Sequence, residues 1–253
     1  MTRFVNKDGF SLAETLIALG ILAVGMLLVA GVFPVAIQFI TTSAEQTTAA
    51  VVAEEAFAKV QLYGSKAGIN YANLQTNSLT DFNDINIIFN IPTPDIGKYE
   101  FIYPSTNSSN AGISHKQYCW SAMCRLTRPY NPAEPNYPVQ VTVFVCRKAG
   151  RSSTFHRRVG GTGNWPEPID ITVTGSGTIV QITKQDYVAN DSTIVDDQSG
   201  QIYRVIKRLP APDDNRIQLD RQWTGGSKAW VIPPAIGGSR NPCIAVYQKE
   251  ILF

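Results

Sequence analysis

The chain has 253 residues, of which 44% are hydrophobic and 17% charged, with a formal net charge of +2. So balanced a charge excludes a global field for nucleic acid or an acidic membrane surface, and the length permits a sizeable core. Its two histidines lie in no nucleophile motif and no phosphate-binding glycine pattern occurs, so the residues offer no catalytic set and imply no cofactor.

The first element is the most informative. A short polar leader carrying Arg3, Lys7 and Asp8 ends at Gly9, and an apolar run then extends to Ile40, broken by one acid, Glu14. From Leu16 to Ile37 no side chain is charged, and roughly 22 helical residues cover about 33 Å, enough for a bilayer's hydrocarbon core. The leader's cations predict a cytoplasmic N-terminus and an exported C-terminal bulk. No small-x-small cleavage site follows the apolar core, so the segment is expected to remain as an anchor. Glu14 is the anomaly, because a carboxylate near the start of a membrane helix costs a few kcal/mol unless it is paired or protonated. Either it reaches water at the interface, or another subunit supplies a positive partner.

Gly9-Phe10-Ser11-Leu12-Ala13-Glu14 followed by the apolar run resembles the processing site of type IV prepilins and type II secretion pseudopilins. The resemblance covers about residues 1–63. It implies that a membrane prepilin peptidase and methyltransferase cuts after Gly9 and methylates Phe10. It also implies that Glu14, the fifth residue of the mature chain, pairs with the N-terminal amine of a neighbouring subunit. Pro34 falls at mature position 25 rather than near 22, and Phe33-Pro34-Val35-Ala36-Ile37-Gln38 looks more like the minor pilins of the pilus-modification type.

Within the anchor, Pro34 removes a helical hydrogen bond, while Gly20, Gly25 and Gly31 each weaken the helix by roughly 1 kcal/mol relative to alanine. A kinked membrane helix with small packing residues explains them, and so does unwinding around Gly25, Gly31 and Pro34 when a subunit leaves the membrane. Beyond Ile40, Ala49, Ala53, Ala56, Phe57 and Val60 recur on one helical face, which predicts an amphipathic continuation to about Tyr63, with Gly64 as a plausible stop.

From residue 64 onward, short β-branched and aromatic runs alternate with turn residues. Expected strands are Ile85–Phe89, Tyr99–Tyr103, Val139–Arg147, Ile169–Thr174, Thr178–Thr183, Gln201–Leu209, Arg216–Leu219 and Ile244–Ile251. Closely spaced strands from Thr178 to Pro233, YVA at 187–189 among them, suggest a small barrel or meander inserted in the head. A single larger sheet is the alternative. The fold class is therefore α+β: a leader at 1–9, a helix at 10–63 that spans the membrane at about 16–37, and a β-rich head at 64–253.

Cys119, Cys124, Cys146 and Cys243 all lie in the exported part, where an even count suggests disulfides, and the pairing taken is Cys119–Cys124 with Cys146–Cys243. Buried free thiols and a zinc site using His115 are the alternatives. The acid pairs Asp196/Asp197 and Asp213/Asp214 read as solvated turns rather than a calcium site. The basic stretch from Arg151 to Arg158, with His156, reads as a hairpin end, a phosphate grip being the alternative.

These residues point to a structural subunit anchored in the inner membrane. It would be assembled with other pilins or pseudopilins by an inner-membrane platform into a pilus or secretion pseudopilus. Its head would be periplasmic, or extracellular once in a filament, and nucleic acid is not the expected partner. A pilus-tip binding module for adhesion or DNA uptake is the alternative, and a tethered enzyme has no catalytic residues to support it.

Overall fold

The computed structural model describes residues 11–82, 100–104, 118–133, 137–147, 153–158, 160–238 and 240–253. The expected strand Ile85–Phe89 and His115 lie outside them. Among the described residues one long helix, α1 (Leu12–Ala67), precedes thirteen strands, and the fold class is α+β as expected. The chain forms two compact units, Met1–Thr47 and Thr48–Phe253, so α1 contributes to both.

In the second unit the helical face read from the sequence, Ala49, Ala53, Ala56, Phe57 and Val60, is buried, and Val52 joins it in one apolar core. Alanines spaced at helical intervals let the backbone approach a sheet closely, and Phe57 fills the space they leave. The helix ends at Ala67, not at Gly64. Gly68, with φ +69°, donates to the Gly64 carbonyl at 3.0 Å and provides the left-handed stop. Gly64 is glycine for another reason: a Cβ there would overlap the Phe253 ring.

Against this helix lies an antiparallel sheet built on β3 (Tyr118–Leu126) and β4 (Pro138–Arg147), with β13 (Cys243–Leu252) along the other side of β4. Two short strands, β1 (Thr80–Asp81) and β2 (Ile102–Tyr103), pair with the outer edge of β3. The sheet is covered on both faces. Trp120, Ala122, Cys124, Val141, Val143 and Val145 face the helix, while Cys119, Met123, Phe144 and Cys146 face a second layer.

That second layer is a closed antiparallel barrel of six strands: β7 (Ile169–Thr174), β8 (Gly177–Ile182), β9 (Thr193–Asp196), β10 (Ile202–Arg208), β11 (Arg216–Trp223) and β12 (Lys228–Val231). The order around it is β10-β11-β8-β7-β12-β9. Alternation fills its interior, with Ile171, Val173, Val180, Ile182, Ile194, Tyr203, Val205, Ile217, Leu219 and Val231 inside. Closure uses β7, which lies ahead of the stretch 178–233, because the tight Gly175–Gly177 turn pairs β7 with β8. The YVA stretch at 187–189 is not a strand: a 3-10 turn occupies Gln185–Tyr187 and its polar groups close on themselves.

The barrel is an insertion between β4 and β13, which pair with each other along their length, so the chain leaves the sheet and re-enters it at one neck. Between β4 and the barrel, β5 (Phe155–His156) and β6 (Thr162–Gly163) form a two-stranded ribbon.

Candidate functional site

The sequence places its strongest site at the start of α1. Ser11 stands just outside the helix; its Oγ accepts from the Glu14 amide at 3.2 Å, and its carbonyl accepts from Thr15 N at 3.2 Å. Ser11-Leu12-Ala13-Glu14 is thus an N-cap with an acid at the third helical position, a spacing that sequence inspection alone can find. A carboxylate in the first turn also opposes the positive end of the helix dipole, worth about 0.3–1 kcal/mol. Glu14 is exposed, and no ion pair to it occurs among the described residues. Gly9 and Phe10 lie outside the described residues.

From Leu16 to Ile37 the helix presents apolar side chains around its whole circumference, the large ones each at least half exposed, and it is long and apolar enough to cross a membrane. Helical geometry continues through Pro34. An added Cβ at Gly20, Gly25 or Gly31 would meet no atom within 4 Å, so no contact inside the chain requires those glycines.

A family model for the prokaryotic N-terminal methylation motif matches residues 5–30. This segment is the hallmark of the type IV prepilin and pseudopilin family. The chain is pilin-like, and its apolar helix suits a membrane anchor. No curated protein and no solved structure matches the chain.

The remaining candidates in this pilin-like chain take structural roles. Asp196 and Asp197 are not solvated but buried. Asp196 accepts from Ser199 N at 2.7 Å and Gly226 N at 2.8 Å, closing the turn after β9. Asp197 accepts from Leu79 N at 3.0 Å, Ser78 Oγ at 3.0 Å and Trp230 Nε1 at 2.6 Å, which ties the lead into β1 to the barrel. Their oxygens already hold protein donors, and turn propensity alone gave no sign of this. Asp213 and Asp214 lie in a surface turn beside Arg216 and Gln185. No metal-ligating group of three or more acids, histidines or cysteines occurs among the described residues.

The basic stretch is largely neutralised. Arg158 pairs with the buried Asp81 at 2.9 Å, Arg157 lies 3.6 Å from Glu167, and the His156 ring packs on Tyr187 with centroids 4.7 Å apart. Arg151 is outside the described residues. On the barrel, Arg204, Arg216 and Arg221 likewise each face an aspartate.

All four cysteines are buried free thiols. The expected Cys119–Cys124 pair is ruled out by the fold, because both sit in β3, five residues and about 17 Å apart, on opposite faces of the sheet. Burial, with Asp81 nearby, pushes the Cys124 thiol far above its ordinary range. The other three thiols lie together on the barrel-facing side.

Proposed function

We propose that the chain is a minor type IV pilin or pseudopilin, cut after Gly9 by a prepilin peptidase and methylated at Phe10. The single observation that carries the reading is the methylation motif at residues 5–30, continued by an exposed apolar helix. Residues 1–9 serve as a cytoplasmic leader and 16–37 as the single inner-membrane span. The β-rich head lies on the periplasmic side until an assembly platform draws the subunit into a pilus or secretion pseudopilus among other pilins.

Glu14 acts in register. No ion pair to it occurs among the described residues, and the mature N-terminal amine of a neighbour is a partner of the right charge. In an apolar medium the attraction is strong although desolvation offsets much of it, so a misplaced subunit carries the larger penalty of an unpaired acid. Gly20, Gly25 and Gly31, unneeded within the chain, suit close backbone approach between helices or local unwinding with Pro34. The inserted barrel favours a second reading, a tip module that binds a surface ligand, because a small folded insertion is not needed to cover the helix.

Two measurements test the proposal. The N-terminal peptide of the mature protein is expected to begin at methylated Phe10, and a Met1 terminus overturns the reading. Glu14→Ala is expected to leave membrane insertion intact and to lower incorporation into sheared filaments about tenfold, equivalent to ~1.4 kcal/mol. Equal incorporation of variant and parent would remove the pairing role.

A further inference from the structure

The neck of the barrel insertion holds three cysteines in register. Cys119 of β3 stands opposite Cys146 of β4, and Cys146 stands opposite Cys243 of β13. Cross-strand partners point to the same face, and all three share one buried apolar cluster with Met123, Phe144 and Trp230.

The backbone makes the two pairings unlike. Arg147 N donates to the Pro242 carbonyl at 2.9 Å, which leaves Cys146 and Cys243 at a non-hydrogen-bonded site. Trp120 N donates away from β4, to the Phe101 carbonyl, so Cys119 turns its backbone groups toward Cys146. Cα separations at such sites are about 4.5 Å and 5.5 Å respectively, and disulfides tolerate both. Cys119 and Cys243 are separated by the whole of β4, about 9–10 Å, beyond disulfide reach.

We infer that these residues form a three-thiol site in which Cys146 is the hub, linked to Cys243 or to Cys119 but never leaving those two linked to each other. The oxidant is the disulfide of an exported thiol oxidoreductase. Cys146 and Cys243 each give up a proton and an electron, the S–S bond forms, and the oxidoreductase departs as a dithiol. Exchange needs no oxidant. The Cys119 thiolate attacks the Cys146 sulfur, the Cys146–Cys243 bond breaks, and Cys243 leaves as a thiolate that takes up a proton.

The two links do different things. Cys146–Cys243 fastens β13, the last strand and an edge of the sheet, to β4 where the barrel leaves and re-enters, closing the insertion covalently. Cys119–Cys146 fastens β3 to β4 and releases that neck. Burial and the adjoining thiols hold the free Cys146 thiol well above its ordinary range, which slows its first oxidation. Formation in cells rests on the proposed export of the head, whereas the hub geometry does not.

The test uses the full-length chain in detergent with a glutathione redox buffer, followed by thiol blocking, digestion and mass spectrometry without reductant. The parent is expected to yield Cys146–Cys243 peptides, with Cys119–Cys146 as the minor form and Cys124 blocked only after unfolding. Cys243→Ser should shift the link wholly to Cys119–Cys146, and Cys119→Ser should leave Cys146–Cys243 alone. Cys146→Ser should abolish every intramolecular link, with matching circular dichroism showing that the variant is folded. A Cys119–Cys243 link in that variant, a link through Cys124, or no link in the parent overturns the proposal. Links that form in the buffer, in a chain kept reduced in cells, uphold the hub and count instead against export.

Discussion

Replacing Asp197 with alanine is expected to destabilise the β-rich unit by about 3–5 kcal/mol, the range for breaking a buried, multiply bonded carboxylate. Asp197 is 7% exposed and gathers donors from two segments of the chain. Leu79 N and Ser78 Oγ lie just ahead of β1, Trp230 Nε1 comes from β12, and Lys228 Nζ stands 3.8 Å away on the same strand. Without the carboxylate, the Leu79 amide and the Trp230 indole N–H remain buried with no acceptor, at roughly 1–3 kcal/mol each. Both belong to the junction between sheet and barrel, so the loss falls on the contact between those layers. Total stabilities are about 5–15 kcal/mol, so such a loss is visible in urea unfolding of the full chain followed by tryptophan fluorescence. Asp197→Asn, which keeps one acceptor oxygen, should fall between. A change below about 1 kcal/mol for the alanine variant would show that water replaces the carboxylate and that the clasp is not structural.

The N-terminal segment was legible because its information is local. Leader charge, Gly9, Phe10, the spacing to Glu14 and the apolar run all sit within one contiguous stretch, and a peptidase that reads a linear segment leaves its requirement in linear form. The helical stripe from Ala49 to Val60 was legible for a similar reason, since one face has one partner and the period shows. Strand β3 was missed because both of its faces are covered, by helix on one side and barrel on the other. YCWSAMCRL therefore has no alternation and reads as neither strand nor helix. Asp196 and Asp197 were misjudged because a DDQSG turn is indistinguishable in sequence whether it faces water or a buried indole. The Cys119–Cys124 half of the cysteine pairing failed on the same point: 119 and 124 are close along the chain, yet register across strands, which no local pattern encodes, brings 119, 146 and 243 together.

Gly64 shows the same limit from the opposite direction and gives the second large effect. Helix propensity alone favours replacing a helical glycine with alanine by about 1 kcal/mol. The structure reverses the sign, because any Cβ at 64 meets the Phe253 ring, which packs against the helix–sheet core while its carbonyl accepts from Tyr71 Oη at 3.1 Å. Overpacking of this kind costs about 1–3 kcal/mol. Gly64→Val is therefore expected to destabilise by about 2–3 kcal/mol, with its branched side chain at the upper end, and Gly64→Ala by about 1 kcal/mol. The decisive comparison is a double-mutant cycle with Phe253→Ala. With the ring removed, Gly64→Ala should become stabilising, approaching the propensity gain, while the single Phe253→Ala variant loses core contacts. A Gly64→Ala variant more stable than the parent when Phe253 is intact would mean that the ring swings aside at no cost. Neither the ring nor the helix would then account for Gly64.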